Sequence, residues 1–252
     1  MRLNRQKGNM YGFVTHTGNV LKGKCGYDCV YCYMKRWKDL GELRFDETEL
    51  DVKMGGDEKV IFVGSGCDMW HPDVTDDQIL RVLDHCCSFY KHVYLFQSKN
   101  PARFLDFKDQ FPPRTILGTT IESDRLLSEI SNAPSVSERV EAMWMLEQNT
   151  SFPILVSVEP VLACDSYGDM LHLLSMCKPD VLSFGGFTGR LNFMAEPPAD
   201  RLGNLIERAA DEIDCFVHVK PNLKRLLPVE FDMEFYNIDP VKIFYSLNRY
   251  WD

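Results

Sequence analysis

Short apolar runs alternate with amphipathic stretches along most of the chain. Seven runs have the length and the β-branched or aromatic content of strands, and they lie at residues 19–21, 60–63, 93–96, 115–118, 154–158, 181–184 and 215–219. Strands that alternate with helical patterns are typical of parallel α/β folds. The pattern therefore predicts an α/β domain with six or seven parallel strands.

Helix-start signals separate several of these runs. Thr75 with Gln78, and Ser135 with Glu138, have the pattern of capping boxes, and Pro101 suits the first position of a helix. Apolar residues then recur at helical spacing, at Ile79, Val82, Leu83, Cys86 and Cys87, at Val140, Met143, Trp144 and Leu146, and at Leu202, Leu205, Ile206, Ala209, Ala210 and Ile213. We expect these side chains, including both cysteines and Trp144, to lie in the core.

Length and composition favour one soluble domain. The chain has 252 residues, 45% of them hydrophobic, which is enough for one complete core. We expect a single domain over 1–252, with its core at about 14–228 and an aromatic-rich C-terminal cap at 229–252. No apolar run approaches the roughly 20 residues of a membrane span, and the first residues lack the apolar segment of a signal peptide. We therefore predict a cytoplasmic protein without a membrane partner.

Charge is unevenly distributed along the chain. The formal net charge of −9 disfavours a general duplex-binding protein, because such affinity comes largely from Lys and Arg that neutralise phosphates. Up to residue 38, however, eight Lys and Arg residues face a single acid, Asp28. This local excess allows an anionic ligand near the N-terminus; a solvated basic face is the alternative.

Polar residues and glycines follow the predicted strands. They lie at residues 23–25, 64–68, 97–99, 119–122, 159–160, 185–186 and 220–222. In parallel β/α folds the carboxyl ends of the strands meet at one rim, and ligands bind there. The sequence therefore predicts a ligand site at that rim.

The stretch CGYDCVYCY at 25–33 carries three cysteines in a C-x3-C-x2-C spacing: Cys25, Cys29 and Cys32. A structural zinc site usually has four ligands, and His16 or Cys67 could be the fourth. A disulfide is disfavoured in a reducing compartment. Three thiolates on one loop suit a 4Fe-4S cluster whose fourth iron stays open, and Gly26 could supply the backbone freedom that such a loop needs.

This spacing, with Tyr31 before the last cysteine, resembles the signature of the radical S-adenosylmethionine (SAM) superfamily. Further segments are similar to the spore photoproduct lyase-like branch, namely 63–72, 97–101 and 134–140. Others resemble phage-associated three-Cys-motif radical SAM-like proteins, namely 156–162, 185–189 and 219–221. Two positions depart from that group: Phe187 stands where it has Glu, and Pro221 where it has Gln.

The resemblance implies a partial (β/α)6-type radical SAM barrel with a possible seventh strand. It also implies that SAM binds the open iron and that a flavodoxin- or ferredoxin-type reductant donates one electron to the cluster. The implied cofactor-binding residues are Tyr31 and Gly185 with Gly186 at the adenine, Gly64, Ser65 and Gly66 at the methionyl amino group, Lys99 at the methionyl carboxylate, and Glu122 or Glu159 at the ribose. Ser98, next to Lys99, is a further cofactor-binding candidate. Each of these residues, taken singly, also has an ordinary structural explanation.

Four further residues are candidates near the substrate. Cys67 could donate a hydrogen atom to a product radical or simply fill space, and Lys220 could contact a phosphate or carboxylate or form a salt bridge. Asp68 and His71 could contact the substrate. His218, within a predicted strand, is expected to be a hydrogen-bonded core residue.

The leading hypothesis is a radical SAM enzyme that abstracts a hydrogen atom from a nucleobase or nucleotide-like substrate, in phage DNA modification or repair. A second hypothesis keeps the radical chemistry but takes a free small molecule or a peptide. A third is a non-catalytic module that binds an iron–sulfur cluster or zinc.

Overall fold

The computed structural model describes residues 1–188 and 195–236. The strands are β1 (Leu3–Arg5), β2 (His16–Gly18), β3 (Leu21–Lys22), β4 (Arg44–Phe45), β5 (Val60–Val63), β6 (Val93–Ser98), β7 (Thr115–Thr120), β8 (Ile154–Val158), β9 (Val181–Phe184) and β10 (Phe216–Val219). The α-helices are α1 (Asp76–Cys87), α2 (Val136–Asn149), α3 (Tyr167–Met176) and α4 (Ala199–Glu212). Short 3₁₀ helices lie at Tyr33–Arg36, Glu47–Glu49, Pro101–Phe107 and Pro221–Leu226.

Eight strands form one mostly parallel sheet. Their order is β1-β2-β5-β6-β7-β8-β9-β10, and all neighbours from β2 to β10 are parallel, whereas β1 pairs antiparallel with β2. In the part of the chain that the structure describes, β1 does not pair with β10, so the sheet is open rather than a closed barrel. The predicted α/β class is confirmed.

Six of the seven predicted strands appear as β5 to β10. The first prediction, at 19–21, is wrong, because β2 ends at Gly18 and Leu21 begins β3, which pairs with Phe45 of β4. The residues of β2 and of the outer strand β1 are mostly polar or lack side chains. Such short segments carry no apolar run that could indicate them.

Both predicted capping boxes are present. The hydroxyl of Thr75 accepts a hydrogen bond from the Gln78 N–H, and Ser135 does the same for Glu138. Pro101 begins a 3₁₀ helix rather than an α-helix. The helix α3 was not predicted, because it has only ten residues and no complete capping box marks its start.

Three predicted core residues, Cys87, Trp144 and Ala210, are not fully buried. Cys86 is fully buried as expected, whereas Cys87 is only half-buried. Trp144 is 46% exposed, because α2 turns its neighbour Met143 toward the core and one residue along a helix rotates a side chain by about 100°.

The two faces of the sheet are covered differently. One face packs against the helices, where Trp70 lies among several phenylalanine rings. On the other face Tyr11, Phe13 and Val14 pack against a second apolar cluster that contains Val60, Val93, Leu95, Ile116, Leu155 and Val181. Those cluster residues lie toward the amino ends of β5 to β9. The N-terminal segment therefore covers that part of the face and leaves the carboxyl ends of the strands uncovered.

Farther along the same face, side chains become polar. Gln97, Thr120 and Ser157 follow apolar residues at alternating positions of their strands, as strand geometry requires. His218 in β10 is buried and lies 3.0 Å from the Ser183 hydroxyl through its Nδ1. The expectation of a hydrogen-bonded core histidine is confirmed.

The predicted C-terminal cap is described only as far as residue 236. Within it the rings of Phe231 and Tyr236 stack at 5.2 Å, and the Tyr236 carbonyl accepts a bond from Val219 of β10. The remainder of the predicted cap, 237–252, lies outside the described residues. Among the helices that the structure describes, none is long and apolar enough to cross a membrane.

Met143 and Trp144 should differ sharply in their contribution to stability. Met143→Ala creates a cavity under α2 and should lower the free energy of unfolding by about 2–5 kcal/mol. Trp144→Ala removes a larger but half-exposed side chain and should change it by about 0.5 kcal/mol or less. Urea unfolding of the two variants measures the difference, and equal losses would contradict the placement of α2.

Candidate functional site

A cavity of about 950 Å³ opens at the carboxyl edge of the sheet. Its wall comes from the cysteine loop at 25–32, the segment 64–68 after β5, the ends of β6, β7, β8 and β10, and the N-terminal segment 4–11. Parallel strands bring these ends together, although they are far apart in sequence. The cavity lies at the rim where the sequence predicts a ligand site.

Most of the predicted site residues line this cavity. They are Cys25, Cys29, Tyr31, Cys32, Gly64, Ser65, Gly66, Cys67, Ser98, Lys99, Glu159, Gly186 and Lys220. Three predicted residues, Glu122, Gly185 and His71, do not line it. Phe187 does, so an apolar ring stands where the compared group has Glu, whereas Gly189 lies outside the described residues.

The cysteine loop turns after each of its cysteines. The carbonyls of Cys25, Cys29 and Cys32 accept bonds from the N–H groups three residues later. The expectation for Gly26 is wrong, because Asp28 takes the left-handed conformation, with a φ of 45°. Gly26 instead makes room for a neighbour, since a Cβ there would lie 2.3 Å from Nε2 of His71.

The four thiols of the cavity differ in their surroundings. Cys29 is buried, with its sulfur 3.1 Å from the Ser131 hydroxyl, and Cys32 is half-buried. A hydrogen bond from Cys67 lowers the pKa of Cys25, while the same bond and burial raise the pKa of Cys67. Of these two neighbouring thiols, Cys67 therefore holds its proton more firmly than Cys25. Burial also raises the pKa of Cys32.

The fit of these residues to a metal depends on their donor atoms. Within residues 1–188 and 195–236, no three or more His, Cys, Asp or Glu side chains are arranged so that they could hold a metal ion as they stand. Cys25, Cys29 and Cys32 nevertheless carry free thiols on one loop and face one cavity. Sulfur is the ligand that iron–sulfur clusters take, so this donor set fits a cluster. Of the two residues considered as a fourth zinc ligand, Cys67 lines the cavity and His16 does not.

Asn19 organises the segment after β5, and sequence reasoning missed it. Its Oδ1 accepts a 2.8 Å bond from the Gly66 N–H, and its Nδ2 lies 3.3 Å from the Ser65 hydroxyl. Gly64 has a φ of 80°, which only glycine adopts without strain. Asn19 was placed inside a predicted strand, so nothing marked its side chain as part of the site.

Asp68 joins the ends of β5 and β6. Its carboxylate accepts bonds from the N–H groups of Trp70 and Lys99, at 3.0 and 2.8 Å, and from the Ser98 hydroxyl at 2.9 Å. Burial raises its pKa in spite of these bonds. The proposed substrate contact is therefore not the use that the structure shows for this side chain, which fixes the backbone around Ser98.

Glu122 is fully buried behind the cavity wall. Its carboxylate accepts bonds from Lys99 and from the Tyr31 hydroxyl, and it pairs with the buried Arg139 at 2.8 Å. Burial alone would raise the pKa of Glu122, but Arg139 and Lys99 outweigh that effect and lower it to about 2. Because these partners occupy its oxygens, Glu122 is not available to ribose hydroxyls.

Glu159 is the carboxylate that faces the cavity. Its Oε2 lies 2.5 Å from Nζ of the buried Lys220, and its Oε1 accepts a 2.7 Å bond from the Asn9 side chain. Lys220 also donates to the Asn9 carbonyl at 3.2 Å and lies 4.0 Å from the centre of the Tyr11 ring. Asn9 was not predicted, because its partners lie about 150 and 210 residues away in the chain.

Gly185 and Gly186 have separate structural uses. A Cβ on Gly185 would lie 2.7 Å from the carboxyl carbon of Glu159, so glycine leaves space for that side chain. Gly186 exchanges two hydrogen bonds with the side chain of Asn222, at 3.2 and 2.7 Å. Only Gly186 reaches the cavity, where it remains a candidate neighbour of an adenine.

Glu122→Gln should destabilise the protein strongly. The substitution leaves Arg139 and Lys99 without their carboxylate, and removing one partner of a buried ion pair costs about 3–5 kcal/mol. The Glu122 pKa is lower in the folded than in the unfolded chain, so its stabilisation is fully present above the ordinary pKa of 4.5 and is lost as the pH falls toward about 2. Urea unfolding at neutral and acidic pH should show the two proteins converging as the pH falls.

Glu47→Gln is the matched control for this experiment. Glu47 also pairs with an arginine, Arg81, at 2.8 Å, but the pair lies at the surface, where such pairs contribute little. A destabilisation by Glu122→Gln that is as small as that of the control, or that is independent of pH, would contradict the role of Glu122.

No protein-family model matches the chain, and no curated protein matches its sequence. Solved structures do match its fold. A spore photoproduct lyase mutant superposes with a TM-score of 0.63 and 11% identity over 86% of this chain and 79% of that one. A second mutant, with bound AdoMet and dinucleoside spore photoproduct, gives 0.62 and 10% identity over 85% and 78%.

SuiB of Streptococcus suis, bound to S-adenosylmethionine, is similar over 86% of this chain and 53% of its own, with a TM-score of 0.55 and 11% identity. Identities this low show a shared fold. The resemblance to the radical SAM superfamily, and to its spore photoproduct lyase-like branch, is therefore confirmed for the fold, and this chain has the α/β fold of the radical SAM proteins.

Proposed function

We propose that this chain is a radical SAM enzyme that acts on a nucleobase or nucleotide-like substrate. The observation that supports this most directly is the position of Cys25, Cys29 and Cys32, whose free thiols share one cavity at the carboxyl edge of the sheet. The fold adds support, because a protein with the same fold has been solved with AdoMet and a dinucleoside. The phage setting and the nucleotide-like substrate come from resemblance alone.

The three cysteines would hold a 4Fe-4S cluster, with SAM in the cavity beside it. When bound, the cluster and SAM would supply the radical chemistry for hydrogen-atom abstraction, with one electron from a flavodoxin- or ferredoxin-type partner. This chain positions the cofactor and excludes water. Cys67 lines the cavity but is only 3% exposed, and its hydrogen bond to Cys25 would help to hold that cluster ligand in position.

Lys99 would bind the methionyl carboxylate of SAM. Its ammonium lines the cavity and is held from behind by Glu122, which leaves further N–H groups for a ligand. Ser65 and Gly66 would contact the methionyl amino group, because Asn19 and Tyr33 fix their backbone next to the cysteine loop.

Glu159 would bind the ribose hydroxyls. Of the two carboxylates that the sequence offers for this role, only Glu159 lines the cavity. Lys220 holds it from one side and Asn9 from the other, so the carboxylate is oriented before a ligand arrives. A preorganised acceptor loses little entropy when it binds.

Anaerobic reconstitution with iron and sulfide tests the cluster. The protein should bind about four irons per chain and, with dithionite and SAM, release 5′-deoxyadenosine. Alanine at Cys25, Cys29 and Cys32 should abolish both results. Cys215→Ala, which also removes a half-buried thiol, should change neither. Stoichiometric zinc without iron–sulfur absorbance would instead support the zinc-binding module.

Glu159→Gln should weaken SAM binding. Loss of a hydrogen bond to a charged acceptor costs about 1.5–3 kcal/mol, so the dissociation constant should rise roughly tenfold to one hundredfold. Calorimetric titration of the reconstituted protein measures it, with circular dichroism as a check on folding. The exposed Glu212→Gln on α4 is the control, and equal affinities of the two variants would assign the ribose to another residue.

A further inference from the structure

Three exposed side chains stand together at the mouth of the cavity. Tyr33, Arg36 and Trp37, which we call the mouth platform, follow Cys32 directly. The Arg36 guanidinium lies 3.9 Å from the centre of the Trp37 ring and 5.6 Å from that of Tyr33. Trp37 is 46% and Tyr33 37% exposed. Packing of the core does not explain why two large aromatic rings are exposed to solvent beside the cavity.

The platform is also fixed in place. The Tyr33 hydroxyl donates a 2.8 Å bond to the Ser65 carbonyl, and the Tyr33 and Trp37 rings meet edge to face at 6.3 Å. The 3₁₀ helix Tyr33–Arg36 thus connects the cysteine loop with the segment after β5. The rings are presented by a held backbone rather than by a free terminus.

Four cations without a carboxylate partner in the described part of the chain, Arg36 of the platform among them, line the same cavity. Arg5, Lys7, Arg36 and Arg44 line the cavity and are exposed, and none forms an ion pair with a carboxylate among the described residues. Of the three acids in the lining, Asp68 is hydrogen-bonded within the wall and Glu159 is paired with Lys220. Only Asp39 is exposed at the mouth. The mouth is therefore positive on a chain whose net charge is −9.

We propose that the mouth platform binds single-stranded nucleic acid and delivers one of its nucleotides to the cavity. This inference rests on the proposed function and narrows its substrate class. Aromatic rings and arginine planes stack on bases, and Lys and Arg neutralise phosphates. An acidic peptide would pair with the cations but would not contact the aromatic rings in a way that needs their flat faces.

The structure favours a single strand over a duplex for two reasons. Bases in a duplex are already stacked on each other and offer no free face to Trp37. The cationic area is also small, and the acidic remainder of the chain would repel a long duplex. For a single strand, each neutralised phosphate contributes about −0.7 to the slope of the logarithm of the binding constant against the logarithm of salt concentration. Four unpaired cations should therefore give a slope no steeper than about −3.

Fluorescence anisotropy of the full chain with a labelled oligothymidylate tests the proposal. Trp37→Ala should weaken binding by about five- to one hundredfold, because it removes one base-stacking surface. Trp37→Phe keeps a ring and should restore most of the affinity. Trp144→Ala is the matched control, because Trp144 is equally exposed, at 46%, but lies on α2 outside the cavity.

Charge is tested separately. Lys7→Gln and Arg44→Gln should each make the salt slope shallower by about 0.7, whereas Lys108→Gln, an exposed cation outside the cavity, should not change it. The proposal is overturned if Trp37→Ala binds like Trp144→Ala. It is also overturned if a duplex or a glutamate-rich peptide binds as tightly as the single strand.

This binding assay and the cluster assay fail independently, because anisotropy requires neither SAM nor a reductant. Oligonucleotide binding by a protein that takes up no iron would contradict the radical chemistry alone. Release of 5′-deoxyadenosine by a protein that binds no oligonucleotide would contradict the mouth platform alone.

Discussion

The buried carboxylate of Glu122 is the interaction on which the site depends. It lies directly after β7 and has no exposed surface, yet it stays ionised because Arg139 and Lys99 surround it. A buried charge is tolerated only when it is paired and hydrogen-bonded. The requirement is mutual, since each cation would be left without compensation if the carboxylate moved.

This network links parts of the chain that do not otherwise define each other's position. Arg139 comes from the first turns of α2, Lys99 from the end of β6, and Tyr31 from the middle of the cysteine loop. Cys29 and Cys32 flank Tyr31, so the bond from its hydroxyl to Glu122 also sets where their backbone meets the sheet. The position of α2 therefore affects the position of the proposed cluster ligands, through the contacts of Arg139 and Tyr31 with Glu122.

The sequence predicted the parts of the fold that are coded locally. Strands β5 to β10 are buried on both faces, so they appear as continuous apolar runs, and each capping box is a pattern of four consecutive residues. The strand β1 could not be predicted because it carries no apolar run. The helix α3 was missed because it is short and no complete capping box marks its start.

Prediction of the site residues had the same limit: local rules found the candidates, but not the contacts between distant parts of the chain. The rule that ligands bind at the carboxyl ends of parallel strands placed both Glu122 and Glu159 at the rim, but it could not say which one faces the cavity. That distinction depends on Arg139 and Asn9, which lie 17 and 150 residues away from their partners Glu122 and Glu159, and no sequence pattern links either residue to its carboxylate. Gly26 shows the same limit, because its close neighbour His71 comes from another loop.

An open sheet also needs something to complete the wall of its cavity, and the N-terminal segment does this here. Asn9 bonds Glu159 after β8 and Lys220 after β10, while the Tyr11 hydroxyl donates to Gln97 of β6 at 2.7 Å. These contacts span the concavity between strands that do not pair with each other. Arg5 and Lys7 belong to the same segment and line the same cavity as the platform that follows Cys32, so the segment that completes the wall also adds positive charge to it.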